Sequence, residues 1–517
     1  MARYKHTDNS QGLFLTVNLR EQLLPDTFEW TIDYLINQID ISSFEQNYNN
    51  DNLGAAAYSP RVLLKIILYC YSRGIITSRK IEKTCRDNII VKALAEDCEP
   101  DHATIAQLIS ANSEAVKDLF AQILLQCQKL TLITGEMFAV DGCKLPSNAS
   151  KEWSGTLADL TKKRDKLEKY IKRLLLKHKD LDKDENAQKK LNKYRKTMGD
   201  DAERRRRSVE ALEEKLEKLN VFLRTAKPKT GVSGDEVQSN ITDNESAVIK
   251  SPHGYIQGYN GITIDDSGNQ VIMCAEAVGS GAESGAFPKM LDSLEDSMKM
   301  ITKKEKPLKK ALLHGDTNYF TEDNLQEAAK RKIDVLIPDP QFRRRDPYFA
   351  EKKDEKVKKK HVKTYSLEDF MYNGKKDNFV CPAGKTLEYK CDAVLRNNSG
   401  RQYRAKPSDC VNCPLIESCI KRRTSRKPAR ALYVVYRKYD KNLSEEMRNK
   451  IDEPVNRELY SRRMQIIEPV FSHMTYCKGM NRFTMRTQVK VNIQWLLYCI
   501  VHNMWKCMKP LSGKYAG

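Results

Sequence analysis

Hydrophobic positions in the first 130 residues recur at helical spacing. The first apolar stripe consists of Phe28, Ile32, Leu35, Ile36 and Ile39. A nearly apolar stretch, RVLLKIILYCYSRGI, predicts a buried helix that ends near its glycine. Two further helices are predicted over 77–95 and 100–130. Their candidate first residues are Thr77 or Ser78 for the former and Thr104 for the latter. The pattern predicts a helical N-terminal domain over 1–130.

Two interpretations of this helical domain remain open. It is either a scaffold or a DNA-binding module. The second is favoured by Arg79, Lys80 and Lys83, which lie near a predicted helix start, where phosphate groups are stabilised.

Residues 151–228 have a different pattern, with apolar residues at alternating steps of three and four among many charges. The predicted seams contain Leu160, Leu167, Ile171 and Leu174 on one helix, and Val209, Leu212, Leu216, Leu219 and Leu223 on the other. Such heptads favour an antiparallel coiled-coil hairpin. Because the segments on either side are strand-like, we interpret 151–228 as an insertion or a dimerisation arm.

Strand and helix patterns alternate on either side of this insertion. EMFAVDGCKL predicts a strand, and YIQGYNGITIDDSGNQVIMCAEAV predicts two strands joined by a turn. ESGAFPKMLDSLEDSMKMI predicts a helix. KALLHGD predicts a strand, TEDNLQEAAKRK a helix capped by Thr321, and IDVLIPD a last strand. This order predicts an α/β domain with a central mixed sheet, formed by 131–150 and 229–340.

Charge and composition narrow the class of protein. The 517 residues carry 89 Lys and Arg against 69 Asp and Glu, a formal net charge of +20. That excess favours a polyanionic partner, most often nucleic acid. No apolar run approaches the ~20 residues of a membrane span, and the first residues lack the apolar core of a signal peptide. We therefore expect a cytoplasmic protein.

Two aspartates follow apolar strand segments. Asp141 follows Phe138-Ala-Val, and Asp316 follows Leu312-Leu-His-Gly. Carboxylates at strand ends are typical ligands of Mg²⁺, which prefers oxygen donors. Two ions ~4 Å apart between such acids can activate a nucleophile and stabilise the leaving oxygen of a phosphodiester.

Four motifs occur in a fixed order along the chain: VDGCKLPSNASKEW, KSPHGYIQGYNGITIDD, LLHGDTNYFTEDNL and YSRRMQIIEPVFSHMTYCKGMNRFTMR. Together they resemble the DDE transposases of bacterial insertion sequences. The resemblance implies a ribonuclease-H-like core in which Asp141, Asp316 and Glu468 hold two Mg²⁺ ions, with Mn²⁺ as an alternative. It extends from about residue 20 to about residue 508, and includes the N-terminal helices.

The last motif supplies the third acid and its neighbours. On a helix, Tyr460, Arg463 and Glu468 project within an arc of about 140°, so they can address one cleft. Arg463 and Tyr460 are suited to phosphate contacts. Pro469 predicts a kink or a new helix start at Glu468. The family often has a lysine at the position of Thr475. Lys478 is the candidate substitute, and Arg482 a further DNA contact.

Cysteines cluster in the predicted insertion over 341–452. Cys410 and Cys413 form a CxxC pair, Cys419 follows, and Cys381 lies in a Cys-Pro-x-Gly turn. CxxC pairs with a distant cysteine are typical of structural Zn²⁺ sites. Cys391 is the rival fourth ligand. The alternative for this cluster is unligated buried thiols. Separately, Cys70, Cys127, Cys499 and Cys507 lie in apolar helices, where we expect them to be core residues.

Basic segments lie in the same insertion. Lys421, Arg422, Arg423 and Arg426 belong to a segment without acids, and Lys353–Lys363 is a second basic run. Such blocks suit a DNA backbone, although they carry no sequence code.

The resemblance, together with these patterns, implies one functional hypothesis. The chain is expected to bind the terminal inverted repeats of its own element, hydrolyse a strand at each end, and transfer the freed 3′-hydroxyl to target DNA. It is expected to act as a homodimer on double-stranded DNA, away from membranes. The last segment, 453–517, completes the core with the third acid. The alternatives are a ribonuclease-H-like nuclease without strand transfer and a domesticated DNA-binding protein.

Overall fold

A computed structural model describes most of the chain. The described residues are 18–46, 56–183, 195–231, 234–251, 254–346, 365–395, 398–420, 428–435 and 442–515. They divide into two units. The first comprises Met1–Ala226, Gln238–Asp339 and Met447–Gly517, and the second comprises Lys227–Val237 and Pro340–Glu446.

The first unit begins with short helices. They are α1 (Phe28–Gln38), α2 (Ser42–Glu45), α3 (Pro60–Ser72), α4 (Ser78–Asp87), α5 (Ile89–Leu94), α6 (His102–Ala111) and α7 (Ser113–Lys129). Helix α3 is buried on nearly all sides, as its apolar composition predicts. Among the described helices, none has the length and apolar character needed to cross a bilayer.

Two of the predicted helices are each divided in two. Asn88 separates α4 from α5, because its side-chain oxygen accepts hydrogen bonds from Ile90 N (2.9 Å) and Val91 N (3.1 Å) and starts a new helix. Asn112 separates α6 from α7. The expected start at Thr104 is also wrong, since the Asp101 carboxylate caps α6 by accepting from Thr104 N at 2.8 Å.

A mixed sheet forms the centre of the first unit. Its strands are β1 (Met137–Pro146), β6 (Ala247–Ser251), β7 (Gly254–Asp266), β8 (Ile272–Val278), β9 (Leu312–Gly315) and β10 (Asp334–Leu336). The order is β10-β9-β1-β7-β6, with β8 also paired to β7. Strands β10, β9 and β1 are parallel, and β1, β7, β6 and β8 pair antiparallel. The predicted mixed α/β core is confirmed, and β6 is an additional strand.

Helices pack against this sheet. They are α10 (Phe287–Thr302), α11 (Glu322–Arg331), α15 (Leu443–Asp452), α16 (Pro454–Ser461), α17 (Arg463–Ser472) and α18 (Gln488–Tyr515), and a π-helical turn, His473–Cys477, follows α17. The predicted cap of α11 is confirmed, because Thr321 Oγ1 accepts from Asn324 N at 3.2 Å. Of the two outcomes expected at Glu468, a kink or a new helix start, the helix start falls instead at Arg463, and α17 continues through Pro469.

Helix α18 connects the sheet to the N-terminal helices. Its Asn503 side chain exchanges two hydrogen bonds with the backbone of Ile272, at 2.8 and 2.9 Å. Trp495 Nε1 donates to Ile262 O at 3.2 Å. The same helix contacts α1, α3, α6 and α7. Residues far apart in sequence therefore share one core.

Two long helices follow β1. They are α8 (Leu157–Lys183) and α9 (Arg195–Thr225), which contact each other. Four of the predicted seam residues are buried: Leu160, Ile171, Val209 and Leu219. Strands β2 (Ser154–Gly155) and β5 (Ser239–Asn240) pair antiparallel beside them. The coiled-coil geometry stays a prediction.

The second unit contains a small antiparallel sheet that sequence reasoning did not predict. Its strands, in spatial order, are β11 (Met371–Asn373), β12 (Asn378–Val380), β13 (Thr386–Leu395), β14 (Asn398–Ala405) and β15 (Ala431–Val435). The remaining elements are β3 (Lys229–Thr230), β4 (Glu236–Val237), α12 (Phe342–Arg345), α13 (Pro407–Val411) and α14 (Ile416–Cys419). Phe370, Phe379, Leu387 and Tyr403 lie in its core.

Candidate active site

Asp141 and Asp316 are neighbours in the register of the sheet. Strands β1 and β9 run parallel, and their last paired residues are Val140 and Gly315. Asp141 and Asp316 are the next residue on each strand. Because paired strands lie ~4.8 Å apart, the two aspartates lie side by side where the pairing of β1 with β9 ends. The sequence led us to expect Asp141 at a strand end. This is wrong, because β1 continues beside β7 to Pro146.

Each aspartate is fixed by hydrogen bonds. Asp141 Oδ1 accepts from Gly142 N at 2.8 Å, and its Oδ2 lies 2.5 Å from Arg463 Nη2. Asp316 Oδ1 accepts from Thr317 N at 2.7 Å, and its Oδ2 accepts from Asn318 Nδ2 at 3.2 Å. Asp316 thereby caps the short 3₁₀ turn that follows β9.

The electrostatics of Asp141 reflect its burial. Burial raises its pKa to about 6, against the lowering effect of the Arg463 guanidinium, and the charges of Glu283 and Asp316 add to the rise. Arg463 is itself only 12% exposed. Its guanidinium therefore contacts a carboxylate of the site, whereas the sequence suggested a contact to phosphate.

Two residues that sequence reasoning missed lie beside the aspartates. Tyr319 is fully buried, and its hydroxyl has no hydrogen-bond partner within the described residues. Burial raises the pKa of Tyr319, and the charges of Glu283, Asp141 and Asp316 raise it further. Glu283 is 3% exposed and follows β8. An acid shortly after a strand of an α/β sheet was the available signal for Glu283.

Glu468 has a different environment. Helix α17 packs on β1 through Ile466 and Ile467, which contact Ala139. Glu468 is exposed and lies about 140° around the helix from Arg463. Its side chain forms no ion pair among the described residues. Nor do those residues contain a group of three or more His, Cys, Asp or Glu side chains arranged to hold a metal ion.

The other residues of the last motif are divided between surface and core. Tyr460 is half-buried, with its ring 6.1 Å from that of His314 on β9. Arg482 is exposed, and its Nη2 lies 3.5 Å from Ser147 O. Lys478 is buried, with its Nζ 3.5 Å from the ring centroid of Trp505. In this conformation the Lys478 ammonium is not presented to DNA.

The predicted zinc ligands lie together in the second unit. Cys381, Cys410, Cys413 and Cys419 line one cavity of about 30 Å³. Backbone N–H groups approach two of the sulfurs, Lys385 N to Cys381 Sγ at 3.3 Å and Arg430 N to Cys410 Sγ at 3.5 Å. The rival ligand, Cys391, donates instead to Gln402 Oε1 at 3.7 Å. These thiols do not form a metal-binding group in the described structure, so zinc is not confirmed.

The candidate DNA-binding residues are only partly described. Arg79, Lys80 and Lys83 are exposed in the first turns of α4. Lys421, Arg422, Arg423, Arg426 and the run Lys353–Lys363 lie outside the described residues. Of the cysteines assigned to apolar helices, Cys70, Cys127, Cys499 and Cys507 are all buried.

Two family models match the chain. The model described as "Transposase DDE domain" matches residues 380–508, and the one described as "Transposase domain (DUF772)" matches residues 17–111. The first match includes Tyr460, Arg463 and Glu468 but not Asp141 or Asp316. No curated protein matches the chain.

Proposed function

We propose that this chain, which its two family matches identify as a DDE transposase of an insertion sequence, cuts and joins DNA at the ends of its own element. Asp141, Asp316 and Glu468 are proposed to hold two divalent ions, Mg²⁺ or alternatively Mn²⁺, on a ribonuclease-H-like core. The observation that carries the proposal is the adjacent register of Asp141 and Asp316 on parallel strands.

The residues at this position fit a divalent ion in kind. Two carboxylates lie side by side at the end of the β1–β9 pairing, and two buried oxygens, Tyr319 Oη and Glu283 Oε2, have no hydrogen-bond partner in the described part of the chain. Hard cations prefer such oxygen donors. When bound, the ions supply activation of the nucleophile and stabilisation of the leaving oxygen.

The chain's own residues prepare this chemistry. Thr317 N and Asn318 orient the Asp316 carboxylate. Arg463 compensates the buried charge of Asp141. Glu468 is the third acid by resemblance to the family, and its helix already lies against β1. Water and then a DNA 3′-hydroxyl act as nucleophiles, so no covalent protein intermediate is expected.

Other parts of the proposal concern partners. The net charge of +20 supports binding of double-stranded DNA, both transposon ends and target. Arg79, Lys80 and Lys83 of α4 are exposed candidates for phosphate contacts. The proposal also includes a homodimer on DNA and association with the nucleoid. It further includes a coiled-coil arm formed by α8 and α9, and Zn²⁺ at the cysteine cavity.

Paired binding and cleavage assays test the function. Asp141→Ala should keep its affinity for end DNA across a salt series, because one buried carboxylate adds little surface charge, but lose Mg²⁺-dependent cleavage. Asp296→Ala, an exposed aspartate on α10, is the matched control. Neutralising Arg422, Arg423 and Arg426 should instead weaken binding and flatten its salt dependence.

The reaction products separate the alternatives. Cleavage with joining of the 3′-end to target DNA supports a transposase. Cleavage without joining favours a nuclease, and binding without cleavage by the parent protein favours a domesticated DNA-binding protein. Cleavage by Asp141→Ala at the parent rate would rule out the proposed site.

A further inference from the structure

Glu283 is a buried acid whose charge is only partly compensated. It follows β8 and is 3% exposed. Its Oε1 lies 3.7 Å from Lys144 Nζ, longer than a hydrogen bond. Its Oε2 is buried and has no hydrogen-bond partner among the described residues. A buried carboxylate oxygen in this state is costly to the fold, so a structural role alone does not account for it.

Packing holds Glu283 close to Asp316. Asn324 Nδ2 donates to Ser284 O, the residue after Glu283, and to Tyr319 O in the turn after Asp316, both at 3.1 Å. The rings of Phe287 and Tyr319 lie 5.6 Å apart. The segment that carries Glu283 and the turn that carries Asp316 are therefore fixed to each other.

Glu283 is also close enough to Asp141 for their charges to interact. Lys144, its ion-pair partner, lies three residues beyond Asp141 on β1. The charge of Glu283 contributes to the raised pKa values of Asp141, Cys143 and Tyr319. The Glu283 carboxylate is thus paired with a residue of β1, and its charge acts on Asp141 and on Tyr319 in the turn after β9.

We propose that Glu283 is a further ligand of the divalent-metal site that Asp141 and Asp316 form, an inference that rests on the proposed function. In the structure, Arg463 contacts Asp141 and Lys144 contacts Glu283. Asp141, Asp316 and Glu283 would hold the ion, and the two cations would have to give up their contacts with the carboxylates for it to bind. Glu283 reaches the site from the loop after β8, whereas Glu468 belongs to α17.

Titration of the full-length protein with MnCl₂ by calorimetry tests the role of Glu283. Glu283→Gln keeps the shape of the side chain and should weaken Mn²⁺ binding at least about tenfold, the lower bound for loss of even an indirect ligand contact. Asp141→Asn should do the same. Glu276 lies on β8 and its carboxylate is paired with Lys289 at 2.7 Å. The control Glu276→Gln should leave the affinity for Mn²⁺ unchanged.

Lys144→Gln distinguishes a role of Glu283 as a metal ligand from a role only as the ion-pair partner of Lys144. It leaves the Glu283 carboxylate but removes its competing cation, so Mn²⁺ affinity should be equal to or tighter than that of the parent. If Glu283→Gln melts far below the parent, the double variant Glu283→Gln/Lys144→Gln, which contains neither of the paired charges, replaces it in the same titration.

The outcomes distinguish this inference from the function on which it rests. Mn²⁺ affinity within twofold of the parent in Glu283→Gln, combined with weakened binding in Asp141→Asn, overturns the role of Glu283 and leaves the proposed site intact. Unchanged affinity in both variants, or no Mn²⁺ binding by the parent, contradicts the metal site itself.

Discussion

The ion pair between Asp141 and Arg463 makes a prediction about stability. Arg463 Nη2 and Asp141 Oδ2 lie 2.5 Å apart, and the two side chains are 12% and 23% exposed, respectively. Removing one partner of a buried pair costs ~3–5 kcal/mol because the other charge stays buried. Since Asp141 keeps some contact with solvent, we expect Arg463→Gln to lower the free energy of unfolding by about 3 kcal/mol at pH 8.

This cost should depend on pH. Burial raises the pKa of Asp141 to about 6 from an unfolded value of 3.8, so the folded state holds the proton more tightly. The free energy of unfolding of the parent therefore falls by about 3 kcal/mol as pH rises from about 4 to about 6. Above about pH 6 the contribution of Asp141 to this free energy is constant. Without Arg463 the folded pKa rises further. The destabilisation by Arg463→Gln should be small at pH 5 and full at pH 8.

Urea unfolding followed by tryptophan fluorescence measures the loss of stability in the first unit, which contains the ion pair. All four tryptophans, Trp30, Trp153, Trp495 and Trp505, belong to the first unit.

Arg462→Gln is the matched control for this measurement. Arg462 is 53% exposed and lies 3.6 Å from Glu458, so its loss should cost less than ~1 kcal/mol. Equal effects of the two substitutions, or the same cost of Arg463→Gln at pH 5 and pH 8, would refute the reasoning.

Two other predictions concern the surface and the cysteines. Arg482→Gln should reduce the salt slope of DNA binding by about one, as expected for one phosphate contact. Lys478→Met should leave the slope unchanged, because the Lys478 ammonium lies buried against an indole ring. Equal slopes for the two variants would contradict this prediction. Elemental analysis should find about one zinc per chain in the parent and in Cys391→Ser but none in Cys410→Ser, since a tetrahedral site needs all four thiols; a zinc-free parent would exclude the site.

Local patterns were sufficient for part of the core. The apolar run of β1 before Asp141, the strand pattern of β7 and the apolar run of β9 are properties of short segments, and the structure has these strands where the patterns place them. The aspartates that follow Val140 and Gly315 meet because these strands are parallel neighbours. That pairing is a property of the fold, and the order of the motifs indicated it.

Other features depend on contacts that no local pattern contains. The position of Glu283 depends on Asn324, some forty residues later in the chain. The exposure of Glu468 depends on the helix break between α16 and α17, which fixes the rotation of α17 against β1. The divisions at Asn88 and Asn112 were missed because the flanking apolar residues also fit longer helices, although the break at Asn88 is local, since its side chain caps the second helix.

The central claim is that Asp141 and Asp316 hold the divalent ions that cut DNA. Asp316→Cys tests it most directly, because Mg²⁺ binds thiolates poorly whereas Mn²⁺ accepts softer ligands. We predict that cleavage of end DNA by Asp316→Cys is lost in Mg²⁺ and restored in Mn²⁺, while Asp296→Cys matches the parent in both. Full activity of Asp316→Cys in Mg²⁺ would contradict the claim.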